Sequence, residues 1–158
     1  MRKYLLAAAL CALVFSSVAA AKGPVRASIS GPGLEHALVI KGDGEGPGSR
    51  LGTLADASGF FAQVFRQSPD PTLASRPSGT LGVRYTAVYL VPGPSSTPSR
   101  LIQYIYPYAR PVALSYVRPG QMFWSSKKTH GGWYRASRAL KRVLVRAGLP
   151  AKAPPLSN

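Results

Sequence analysis

The chain has 158 residues, with 20 Lys or Arg against five Asp or Glu, a net charge of +15 and a single cysteine. That length suits one domain with a hydrophobic core of its own. One cysteine excludes a disulfide framework, and the charge directs attention to polyanionic partners.

The first residues, Met1, Arg2 and Lys3, are positive and precede an apolar run over residues 5–15. Small residues follow up to Ala21, then Lys22 and Gly23. This is the three-part layout of a secretory signal peptide over residues 1–21, with cleavage expected after Ala19, Ala20 or Ala21. Residues 4–21 are also just long enough for an uncleaved anchor, and the alanine-rich end favours cleavage. Cys11 lies inside the apolar run behind Leu10, where a lipoprotein signal needs a small residue. The mature chain therefore has no cysteine, which removes disulfides, cysteine nucleophiles and thiolate metal sites together. It keeps 18 basic residues and all five acids, a net charge of +13, and carries 13 Lys or Arg and no acid after Asp70.

Residues 26–30 and 36–40 alternate apolar and polar around Gly31, Pro32, Gly33 and Leu34, and predict two strands joined by a tight loop. Residues 41–50 (KGDGEGPGSR) form a glycine-rich loop without the lysine-and-hydroxyl ending of a phosphate-binding loop. Asp43 and Glu45 are too few to make a calcium site. A helix is predicted over residues 54–66, with Thr53 and Asp56 as a variant capping box and Leu54, Ala57, Phe61, Val64 and Phe65 on one face. Gly59 inside it signals close packing or a bend. Residues 67–79 are a proline-rich connection.

Residues 83–91 (VRYTAVYLV), 100–108 (RLIQYIYPY) and 112–124 carry six of the eight tyrosines and predict the central sheet. The first two pair antiparallel across the proline-rich loop 92–99. Tyr85 and Tyr89 share one side, as do Tyr104, Tyr106 and Tyr108. Cross-strand packing is the expected use of these rings, with a row that stacks sugars or bases as the alternative. Pro119 and Gly120 suit a type II turn that returns residues 112–117 into 121–124. A final helix is predicted over residues 137–147, ended by Gly148. Its apolar stripe is Leu140, Val143, Leu144 and Ala147, with Arg138, Lys141, Arg142 and Arg146 opposite. Residues 151–158 read as a disordered tail.

Several elements resemble a family of small, uncharacterised secreted proteins of high-GC bacteria. They are Gly31-Pro32-Gly33-Leu34, Leu81-Gly82-Val83-Arg84-Tyr85, Tyr106-Pro107-Tyr108-Ala109, Pro119-Gly120-Gln121 and Gly131-Gly132-Trp133-Tyr134. The resemblance covers most of the mature chain. It implies export and a single domain, and no assigned activity or site.

The expected architecture is one α+β domain over residues 22–150, a curved antiparallel sheet of about five strands with two helices on one face. The expected function is a non-catalytic binding module at the cell envelope, secreted or envelope-associated, acting on an anionic polymer or membrane surface. Lys127, Lys128, Arg135, Arg138, Lys141, Arg142 and Arg146 are the candidate polyanion-binding residues. Export disfavours nucleic acid. The alternative is a protein–protein module, such as a peptidase inhibitor, presenting the stiff loop 92–99. An enzyme is the remaining reading: His36 beside Glu35 points to the opposite strand face, and His130 is expected at the surface. No acid–base pair, nucleophile elbow or zinc motif occurs, so no cofactor or metal is expected.

Overall fold

The computed structural model describes residues 23–46, 48–94 and 96–155. The predicted signal segment and Cys11 lie outside the described residues. The elements in chain order are β1 (Arg26–Ser30), β2 (Leu38–Lys41), α1 (Arg50–Ala57), α2 (Phe60–Phe65), β3 (Tyr85–Val91) and β4 (Ser99–Tyr106). They are followed by β5 (Leu114–Val117), β6 (Met122–Phe123), β7 (Lys127–Lys128), β8 (Gly132–Arg135) and α3 (Ala139–Ala147). Six strands form one open antiparallel sheet in the order β2-β1-β3-β4-β5-β8, and β6 and β7 make a separate two-stranded ribbon. The α+β class and the antiparallel sheet are as expected. The sheet has six strands where about five were expected, the ribbon is additional, and there are three helices where two were expected.

The β3–β4 pair is the spine, in register from Tyr85↔Ile105 to Val91↔Ser99. Strand alternation sends Tyr85, Ala87, Tyr89 and Val91 to one face with Leu101, Gln103 and Ile105, and all seven are buried. The helices cover that face with Leu51, Leu54, Phe60, Val64, Leu140 and Leu144. The Phe60 and Tyr89 rings meet at 4.5 Å. Each large side chain buried here contributes about 1.5–3 kcal/mol before the entropy of ordering is counted. Tyr104 and Tyr106 share a side, as predicted, and it is the other face of the sheet. Tyr108 lies past the end of β4 and instead packs 6.2 Å from Tyr85.

A polar seam crosses this core. The Tyr89 hydroxyl donates to Gln103 Oε1 (3.0 Å), and the Gln103 amide donates to Gln63 Oε1 (2.7 Å) and to the Ser58 carbonyl (3.1 Å). The Ser115 hydroxyl also donates to the Ser58 carbonyl, at 2.6 Å, and the Gln63 amide donates to the Gly132 carbonyl at 2.8 Å. Every donor and acceptor finds a partner, so burial of the seam carries no desolvation penalty for an orphaned group. The seam fixes the α1–α2 junction over β4, β5 and β8.

That junction corrects the single helix predicted over 54–66. The helix starts earlier, with Ser49 accepting the Gly52 N–H at 2.8 Å, and breaks at Ser58 and Gly59. Gly59 has φ +73°, and a Cβ there would lie 2.3 Å from the Tyr134 ring. The bend lets α1 and α2 follow the twisted sheet.

The hairpin predicted after residue 117 is also corrected. β5 pairs with β8, from Leu114↔Arg135 to Val117↔Gly132, and not with residues 121–124. Gln121 explains the departure: its side-chain amide accepts the Ile102 N–H (2.8 Å) and donates to the Ile102 carbonyl (2.7 Å). A side chain thus takes the place of a strand beside β4, and the chain is free to make the β6–β7 ribbon. Lys127 and Lys128 are paired in that ribbon with Met122 and Phe123. Of the predicted tail, residues 151–155 are described, and Pro154 lies against Gly33.

Candidate anion-binding cleft

α1 and α3 pack side by side, and a cleft of about 520 Å³ opens between the first turn of α1 and the outer face of α3. Arg50 and Thr53 line it from α1, and Arg142 and Arg146 from α3. The first turn of α1 is set by its cap: Ser49 accepts the Gly52 N–H, and the Thr53 hydroxyl turns back to the Ser49 carbonyl at 2.8 Å. On α3, Leu140, Val143 and Leu144 are buried, so helical spacing turns Arg142 and Arg146 outward on the same side. Arg146 stands in the last turn of α3, where its charge also complements the helix dipole.

Among the described residues no carboxylate pairs with these guanidinium groups. Among the described residues the only contact between an acid and a basic side chain is Asp70 with His130. Asp43 is engaged by the Glu45 N–H (2.9 Å), and Glu45 accepts the Gly23 N–H (2.5 Å). Three arginines around one opening present many forked donors to phosphate, sulfate or carboxylate oxygens.

The seven predicted basic residues divide. Arg142 and Arg146 enter the cleft, and Arg138 stands one turn before them at the start of α3. Lys141 faces elsewhere, its Nζ 5.1 Å from the centre of the Tyr108 ring. Lys127 and Lys128 belong to the ribbon, and Arg135 belongs to β8, in register with Leu114. Arg50 was missed because it was read as the end of a glycine-rich loop. Ser49 was the available signal, an N-cap residue directly before it.

The histidines separate as well. Glu35 and His36 are both exposed before β2, with no hydrogen bond between them. His130 is half-buried and engaged: its Nε2 lies 2.6 Å from Asp70 Oδ2 and 3.1 Å from Thr72 Oγ1. Asp70 Oδ1 accepts both the Thr72 N–H (2.9 Å) and the Thr72 hydroxyl (2.7 Å). The Thr72 N–H, then its hydroxyl, then His130 hold the Asp70 carboxyl below the usual carboxylate range. This trio has the residue types of a proton relay but not its geometry. A relay addresses the two ring nitrogens from opposite sides, whereas hydroxyl and carboxylate here share one. The trio is a latch between residues 70–73 and the start of β8, continued by the mutual backbone bonds of Leu73 and Trp133 at 2.8 Å. Sixty residues separate its members, so no local pattern could reveal it. Among the described residues no group of three His, Cys, Asp or Glu side chains could hold a metal.

The loop after β3 is braced at its base. Trp124 Nε1 donates to the Pro92 carbonyl at 2.8 Å, and the Trp124 ring lies directly against Gly93. No protein-family model, curated protein or solved structure matches the chain.

Proposed function

We propose that the protein is a non-catalytic binding module that holds an anionic polymer or lipid surface at the cell envelope through the cleft between α1 and α3. One observation carries this reading: Arg50, Arg142 and Arg146 converge on a single opening with no acid among them. The net charge of +15 adds long-range attraction for such a partner. The signal-like amino terminus supports an exported setting.

The test is retention of the purified protein on isolated cell envelopes across a salt series. Retention should fall steeply with salt, and should be largely lost when Arg50, Arg142 and Arg146 are replaced by serine. Retention unchanged at 0.5 M salt, where the Debye length is about 4 Å, would refute electrostatic capture.

A second reading, a protein–protein module presenting loop 92–99, gains support from the Trp124 brace, which restrains the loop without a disulfide. Under that reading, Trp124→Ala and a Gly-Ser replacement of the loop abolish capture of a protein partner, while the arginine variants do not.

A further inference from the structure

The helices cover only one face of the sheet. On the other face the register aligns outward side chains into rows across the strands. Lys41, Arg26, Leu90 and Arg100 form one row. Val39, Ser28, Val88 and Ile102 form the next, and Ser30, Thr86, Tyr104, Tyr116 and Trp133 the third. Every outward strand position in these rows is neutral or basic, so the face is cationic at one end, aliphatic in the middle and aromatic at the other. Ile102, on the central strand β4, is 40% exposed, and Val39, on the edge strand β2, is 45% exposed. A depression of about 300 Å³ lies here, its lining including Val88, Leu90, Arg26, Arg100, Ser28 and Ser30.

We propose that this open sheet face is a second binding surface, separate from the arginine cleft, and that its occupant is an acidic polysaccharide, a chain of sugar rings bearing carboxylate or sulfate groups. Charge complementarity requires an anion, and the aliphatic row requires a partner with apolar C–H faces. Ser28 and Ser30 add hydroxyls to the lining for sugar hydroxyls. From the cationic row to the aromatic row is four residues along a strand, about 14 Å, so the occupant is a chain of several rings.

Single-stranded nucleic acid is the rival polyanion with flat rings, and it binds by stacking bases on open aromatic faces. Those faces are partly covered here. Arg84 lies 4.8 Å over the Tyr104 ring, Tyr104 runs parallel to Tyr116 with ring centres 6.5 Å apart, and Tyr116 leans on Trp133 at 4.9 Å. Each ring already has a neighbour, so the aromatic row is a smaller stacking platform than single-stranded nucleic acid requires and serves a sugar chain as an apolar wall.

Calorimetric titration of the purified protein with polygalacturonate and with dextran sulfate tests the proposal. Fully methyl-esterified polygalacturonate and plain dextran are the uncharged controls, and oligothymidylate is the competitor. One or both acidic chains should bind, showing which acid group is preferred, and the controls should not. The Arg26→Ser/Arg100→Ser pair should weaken binding about tenfold or more. Ile102→Asp, a change at an exposed position that places an acid beside Val88 in the aliphatic row, should do the same. Arg142→Ser/Arg146→Ser should remove the cleft's share of the titration and leave a sheet-face step whose affinity is within about twofold of the wild type. Binding lost only in the Arg142/Arg146 variant would overturn the sheet surface and leave the cleft standing. Indifference to Ile102→Asp, absence of binding by both acidic chains, or tighter binding of oligothymidylate at the same face would each overturn it as well.

Discussion

Replacing Gly59 with alanine tests how the helical layer is seated on the sheet. Gly59 is buried at φ +73°, and an added Cβ would lie 2.3 Å from Cγ and Cδ1 of Tyr134. Two costs follow. Holding a residue with a Cβ in the left-handed region costs about 1–2 kcal/mol. Pushing the Tyr134 ring aside in a packed layer costs about 1–3 kcal/mol. Alanine also stiffens the unfolded chain, which offsets about 0.4–1 kcal/mol. The net loss is then about 1–4.5 kcal/mol, which a domain with typical stability of about 5–15 kcal/mol survives. Urea unfolding of the wild type and variant should show a lower midpoint with an unchanged slope. The same substitution in a Tyr134→Ala background isolates the steric part, because only the backbone cost remains. An equal loss in both backgrounds, or a loss below about 0.5 kcal/mol in the wild type, would show that the Gly59–Tyr134 contact does not position the helices.

Three further outcomes follow from the core and its periphery. Gln103→Met keeps the volume and leaves the Tyr89 hydroxyl and the Gln63 carbonyl only their long contacts to the Ser58 hydroxyl (3.4 Å) and the Ser115 hydroxyl (3.3 Å), costing about 1–3 kcal/mol; urea unfolding should show that adding Tyr89→Phe recovers part of the loss, and strict additivity would contradict a connected seam. Burial raises the Tyr85, Tyr89 and Tyr108 hydroxyls above the ordinary tyrosine value. The stability linked to them is therefore complete below about pH 10 and lost as pH rises further, at about 1.4 kcal/mol per pH unit for Tyr89 alone. Phenolate absorbance should consequently rise in step with unfolding, and complete ionisation of a still-folded protein near pH 10 would refute this. The Asp70 carboxyl is depressed, so its contribution is full above about pH 3.9 and lost as pH falls through its lower folded value. Stability measured between pH 5 and pH 2 should fall less steeply in Asp70→Asn than in the wild type, and identical slopes would dismiss the latch.

The two proposed surfaces lie on opposite sides of one sheet, one among the helices and one on the bare strands. Together they would let the domain engage two polyanionic segments at once, with avidity beyond either site. Variants confined to the sheet face would then lower apparent affinity for an envelope without abolishing it, whereas the cleft variants remove most of the retention.

The amino-acid sequence alone determined the class of the fold. Alternation in residues 83–91 and 100–108 dictated an antiparallel pair, because strand side chains repeat every two residues whatever surrounds them. The apolar stripe and Gly148 likewise dictated α3, since periodicity and capping act within a few residues. Tertiary structure decided the rest. β5 chose β8 over the nearer residues 121–124 because the Gln121 amide already occupied the edge of β4 beside Ile102. α1 and α2 parted at Gly59 because Tyr134, 75 positions later, leaves no room for a Cβ. The seven candidate basic residues were divided among cleft, ribbon, sheet and the Tyr108 ring, and Arg50 joined Arg142 and Arg146 from the neighbouring helix, far away in the chain. Local rules govern the backbone within a turn or a strand. The meeting of side chains distant in the chain depends on which faces the packed core leaves open.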